Sequence, residues 1–202
     1  MTGLQSFCTS FEGFRRIATG ELHEVALKTK LVLERGEKSP VLVFDNRTSE
    51  LIEIDFRGSD ADVLQRLEMR KLQAASRQVE VTETAVPRGP GRPKLGVVAR
   101  EVTLLPRHWD WLNNQPGGAS VALRKLVDEA RKANEGKDRV RAAQDAAYRF
   151  LTVIAGNLPG YEEAIRAIFA LDTPHFDEVI TTWPDDVRQH AKMLFKQACE
   201  VG

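Results

Sequence analysis

Four basic side chains carry the chemistry most open to reading. Arg88, Arg92, Lys94 and Arg100 lie along PRGPGRPKLGVVAR, separated by Pro87, Pro90 and Pro93 and by Gly89, Gly91 and Gly96. Proline keeps a backbone extended, and glycine lets it approach a surface closely. Cationic side chains on such a strip suit a polyanion, because each phosphate they neutralise releases a counterion. Arginine suits the narrow, electronegative minor groove of AT-rich DNA. From residue type alone, Arg88 and Lys94 are candidate phosphate contacts.

The next residues, REVTLLPRHWDWLNNQPGGASVALRKLVDEARK, change character. Val102 and Leu104 alternate with Glu101 and Thr103, as in a short strand with one apolar face. Pro106 opens a short helix with Trp109 and Leu112 on one side. Pro116, Gly117 and Gly118 interrupt it. Ser120 is placed to cap a second helix, on which Leu123, Leu126, Val127 and Ala130 share a face. One strand and two helices cannot bury this much apolar surface alone, and pairing the strand with its copy in a second chain is one way to complete it.

That order resembles the ribbon-helix-helix family of DNA-binding proteins over Arg100 to Lys132. The resemblance implies a homodimer whose paired strands enter the major groove of double-stranded DNA. Arg100 and Thr103 would then lie on the ribbon. Gly118, Ala119 and Ser120 would form the turn that meets a phosphate at a helix start. The Gly91-Arg92-Pro93 core resembles an AT-hook, incomplete because Pro90 precedes it where arginine is usual; the resemblance implies Arg92 and Pro93 in an AT-rich minor groove, with Arg88 and Lys94 on phosphates. The alternative is a strand and two helices packing inside one domain, in a non-enzymatic protein-interaction or scaffold protein.

The whole chain also resembles a bacterial family of uncharacterised cytosolic proteins. The likeness rests on FEGFRRIATGE, GRPKLGVVAREVTLLPRHWDWL, PGGASVALRKLVDEARK and DAAYRFLTVIAGNLPG. It implies that the parts form one established architecture, and it implies no activity.

Enzymatic chemistry finds no footing. His23, His108, His175 and His190 form no close ligand pair, and there is no nucleophile elbow, Walker loop or dinucleotide fingerprint. His175 and Asp177, with His190 from the next helix, are the one combination that could meet in space around a metal. The expectation is a protein without cofactor, and not an enzyme. Cys8 and Cys199 fit no metal or redox motif. They suit reduced thiols in the cytoplasm, a bridge between the termini being the alternative.

The 202 residues carry 29 basic and 29 acidic side chains. The balance is local: 12 basic against 7 acidic residues between Val86 and Asp145, and 5 against 8 from Ala146 onward. No apolar run is long enough for a membrane span, and the start lacks the order of an export signal.

The elements that must position these residues read as an α+β chain. Residues 1–76 form a small mixed domain: one or two strands across SFCTSFEGFRRIATG, a helix across ELHEVALKTKLVLER, a buried strand PVLVFD, a turn NRTS, a half-exposed strand LIEIDF, and a helix capped by Ser59 or Asp60. Thr29 interrupts the first helix stripe, and a strand across KTKLVLE stays open. Residues 77–96 read as a basic linker rich in proline and glycine, within a longer stretch from Gln73 that lacks apolar periodicity. Residues 97–134 are the strand-helix-helix module. Residues 135–202 are a helical bundle, with Val140, Ala143, Ala147, Phe150, Leu151 and Ile154 on one stripe. Phe169, Trp183 and Phe195 are its expected core. Thr173-Pro174 and Pro184-Asp185-Asp186 mark later helix starts.

Overall fold

A computed structural model describes residues 7–36, 39–83 and 100–199. The first strand, β1 (Phe7–Glu12), turns at Gly13 into β2 (Arg15–Glu21). Gly13 has φ +57°, a left-handed conformation that glycine adopts without strain. Helix α1 (Leu22–Glu34) follows, then β3 (Val41–Asp45). The sheet is antiparallel with order β2-β1-β3. Ser10 pairs with Ala18 and Phe11 with Arg16, so Ile17 bulges from the ladder.

Because β1 is central, both its faces are covered. Cys8, with Ala18, Val25 and Val43, packs on the α1 side. Phe11 and Phe44 face the opposite side and belong to the large core. On α1 the polar interruption is resolved locally: the Thr29 hydroxyl donates to the Val25 carbonyl at 2.6 Å. The helix leaves Leu31 exposed, whereas a strand across KTKLVLE would have turned it inward with Thr29 and Leu33.

The strand expected at LIEIDF does not form. The chain returns beside β3 for one bridge, Leu51 opposite Phe44, with Ile52 N–H on the Val43 carbonyl at 2.8 Å. Ile52 and Ile54 still pack inward. The backbone beyond them binds elsewhere: the Asp55 and Arg57 carbonyls accept from the Arg66 guanidinium. Alternation reported the buried side correctly, but not the hydrogen-bond partner.

Arg66 lies on α2 (Asp60–Glu83). Its cap is Ser59. The Ser59 hydroxyl and backbone N–H both donate to Asp62 Oδ2 at 2.7 Å, and Asp62 N–H returns to the Ser59 oxygen at 3.3 Å. This is a capping box closed by aspartate. The helix continues to Glu83, so residues 77–83 of the expected linker are helical. QAASRQVEVTE lacks glycine and proline, and lost apolar periodicity alone does not break a helix. The rest of that linker lies outside the described residues.

After α3 (Pro106–Asn113) comes α4 (Gly118–Ile154), 37 residues and roughly 55 Å long. Two helices were expected here, meeting near residue 134. Only Gly136 weakens the junction, and one interior glycine costs about 1 kcal/mol against alanine, too little to break a long helix. Then come α5 (Tyr161–Ala170), α6 (Thr173–Val179), a 3-10 turn at Ile180–Thr182, and α7 (Asp185–Cys199). The start of α6 is capped by Asp172, whose carboxylate accepts His175 N–H at 3.1 Å, with Thr173 as the first helical residue. A Cβ on Gly160 would lie 2.7 Å from Val179 Cγ1, so the turn into α5 requires glycine.

The chain divides into two compact units, residues 1–68 with 136–202, and residues 69–135. The first holds the large core. Phe11 and Phe44 meet Phe150 at ring-centroid distances of 5.4 and 5.3 Å, and Ala147, Leu151, Ile168, Phe176, Val187 and Leu194 continue it. The boundaries read at 76 and 135 part the N-terminal segment from the C-terminal helices, but here one core joins them. Trp183 and Phe195 are buried as expected, with Trp183 Nε1 donating to the Pro159 carbonyl at 2.7 Å. Phe169 is exposed and lies against Tyr148 instead.

Candidate nucleic-acid interface

The second unit contains the expected interface. Arg88, Arg92, Pro93 and Lys94 lie outside the described residues. Arg100 and Thr103 are exposed. Residues 100–105 carry no regular element, so the expected strand is not formed within the chain. A strand needs a hydrogen-bonded neighbour, and among the described residues none pairs with this segment.

Leu105, extended at φ −66° and ψ 149°, leads into α3, with Pro106 at the first helical position. Leu112 is the buried residue of α3. Asn114 ends the helix, and Gln115 N–H returns to the Leu112 carbonyl at 3.2 Å. Gly117 and Gly118 follow with φ +87° and +72°, which explains the glycine pair. Gly118 N–H donates to the Gln115 carbonyl at 2.9 Å, and α4 begins there.

Ser120 is therefore not the cap. The helix starts two residues earlier and places Ser120 in its first turn, beside Ala119. Gly118, Ala119 and Ser120 still share the amino end of α4, whose first turn carries no acidic residue. Arg124 Nε folds back onto the Ser120 carbonyl at 3.0 Å.

Apolar side chains in this unit remain largely uncovered. Leu112 and Ala122 are its buried apolar residues among those described. Val102, Leu105, Leu126, Trp111 at 52% and Val127 at 61% are exposed. The shared face of Leu126, Val127 and Ala130 thus meets no cover among the described residues.

Charge differs between the units as well. In the first, Arg15, Arg16, Arg57, Arg66, Arg166 and Arg188 all reach carboxylates. Asp55, held by Arg57 and its N–H groups, titrates well below the usual carboxylate range. Among the described residues 100–135, none of the basic side chains Arg100, Arg107, Arg124, Lys125, Arg131 and Lys132 forms an ion pair. Six basic residues there face five acidic ones, so most of the local excess comes from Arg88, Arg92 and Lys94.

Among the described residues no three His, Cys, Asp or Glu side chains are placed to hold an ion. His175 lies near Glu163 and Glu178, Asp177 pairs with Lys192, and His190 is sealed against Phe11 and Phe150. The three side chains singled out in the sequence are therefore not brought together. Cys8 and Cys199 are free. Burial, with the Asp45 charge, pushes the Cys8 thiol up to about 12, which keeps it protonated and unreactive. No described helix is long and apolar enough to cross a membrane.

The chain belongs to the bacterial family described as "uncharacterized protein conserved in bacteria (DUF2239)", which matches residues 7–195. No curated protein and no solved structure matches it.

Proposed function

We propose that this chain is a dimeric DNA-binding protein, acting as a transcriptional regulator or a nucleoid-associated protein. The observation that carries the reading is the uncovered apolar face of residues 100–130, on a sequence ordered as extended segment, short helix, glycine turn and long helix. A second copy would cover that face and give residues 100–105 a strand to pair with. Arg100 and Thr103 would then reach base edges in the major groove. Gly118, Ala119 and Ser120 would present a helix start to a phosphate. Arg92 and Pro93 would lie in an AT-rich minor groove, with Arg88 and Lys94 on phosphates. The basic side chains of residues 100–135, which form no ion pair among the described residues, agree with an anionic partner.

The test is titration of full-length protein against AT-rich and GC-rich duplexes at two salt concentrations. Binding should weaken steeply with salt, and Lys94→Ala should lower the salt slope by about one unit on every duplex. Arg92→Ala should cost more on AT-rich DNA. Thr103→Ala should relax sequence preference while sparing non-specific binding. No binding to either duplex near 50 mM salt would refute the reading.

The second reading is a protein-interaction scaffold. It is favoured by the near-even charge of residues 100–135, where Asp110 and Asp128 stand exposed among the arginines. That reading predicts dimerisation or partner capture with no salt-dependent DNA binding.

A further inference from the structure

His190 is the one buried histidine in the first unit, only 2% exposed, on the face of α7 that meets the sheet. Phe150 of α4 lies at a centroid distance of 4.5 Å and Phe11 of β1 at 5.4 Å. Its Nε2 is buried with no hydrogen-bond partner. In the turn leading to it, β2 is fastened to the same helix. The backbone N–H of Arg16 donates to Asp186 Oδ2 at 2.9 Å, and its guanidinium donates to Gln189 Oε1 at 2.9 Å. The imidazole thus sits where β1, β2, α4 and α7 converge.

The surroundings oppose a positive charge there. From β2 the nearest charge is Arg16, of the same sign as an imidazolium. Asp186, on its own helix, is already engaged by Arg16. β1 presents Phe11, and the adjacent Glu12 is held by Arg15. α4 presents Phe150, and the adjacent Arg149 donates to the Thr48 carbonyl. Aromatic faces attract a cation, but they do not replace lost hydration. Burial first, and Arg16 second, lower the imidazole to about 4.

We propose that His190 is a proton-operated latch, seating the sheet on the helices while neutral and releasing it when protonated. The sign follows from linkage. The native group titrates below its ordinary value of 6.5, so the unfolded chain binds the proton more readily. The contact is at full strength above about pH 6.5 and weakens as pH falls toward about 4.

The experiment is urea denaturation of the full chain at about pH 7.5 and about pH 5, for wild type and His190→Phe. The wild-type unfolding constant should rise about 30-fold more than that of the variant over this interval. Equal pH dependence of the two proteins overturns the proposal. Should the variant not fold, NMR of the wild-type imidazole decides: a native pKa at or above 6.5 overturns the latch, and one well below it supports the latch. Amide exchange at the lower pH should lose protection on β1, β2 and α7 before α5 and α6. Uniform loss across the unit would refute a local release.

Discussion

One helix, α4, is built in two ways. Along its C-terminal part Ala143, Ala146, Ala147, Phe150, Leu151 and Ile154 are buried. Along its N-terminal part Ala122 is buried, while Leu126 and Val127 are exposed. The intrinsic helix signal is continuous, and only the cover differs. The first stretch has met its partners inside the chain. The second has the same kind of apolar residues without them, together with basic side chains that form no ion pairs. Under the proposed function, this exposed apolar face beside unpaired charge is the surface a second copy would cover.

The largest expected effect tests the covered end. Phe150→Ala removes a ring that touches Phe11, Phe44 and His190. It should cost about 3–5 kcal/mol in chemical denaturation, enough to unfold a marginal domain. Leu126→Ala should cost much less, within about 1 kcal/mol when the protein is measured as a monomer. Equal losses would mean that the N-terminal part of α4 is packed as tightly as the rest.

A second pair of changes tests the uncovered end. Val127→Asp puts a charge on the exposed face, and Val102→Pro removes a donor from the expected ribbon. Sedimentation at micromolar concentration should show a dimer for the wild type and monomers for both variants. Monomer stability should shift by no more than about 0.5 kcal/mol. A wild-type protein that remains monomeric would sink the paired ribbon, and with it the proposed occupant of this face.

The same contrast explains what could be read before folding. Periodicity located the buried stripe of α4 and the side of LIEIDF that turns inward, and it left one or two strands open before Gly20. It did not say what each face would meet. Phe11 and Phe150 are separated by most of the chain, and nothing local announces that they touch. Phe169 looked like core because it is large and sits in an apolar helix, yet its neighbour Tyr148 is itself on the surface. The boundary read between residues 134 and 135 falls inside α4, because a helix ends only where its hydrogen bonds do. For the candidate interface, residue types were legible at Arg100, Thr103 and Gly118–Ser120. The ribbon was not, because its pairing would come from a second chain.

Two serines near helix starts sharpen the comparison at the smallest scale. Ser59 caps α2, exchanging hydrogen bonds with Asp62. Ser59→Ala removes that exchange and should cost about 1 kcal/mol, read from the denaturation midpoint at unchanged slope. Ser120 looks equivalent in sequence, standing before an apolar helical stripe after a glycine turn. In the structure it lies inside the first turn of α4, and the turn is closed instead by Gly118 N–H on the Gln115 carbonyl. Ser120→Ala should therefore leave stability within about 0.5 kcal/mol of wild type, since alanine is the better helix former there. Its cost should appear in DNA titration, as weaker binding of similar size on every duplex, because a phosphate contact carries no sequence information. A stability loss matching that of Ser59→Ala would instead make Ser120 the true cap. The helix would then begin two residues later, and Gly118 and Ala119 would no longer offer helical N–H groups to an anion.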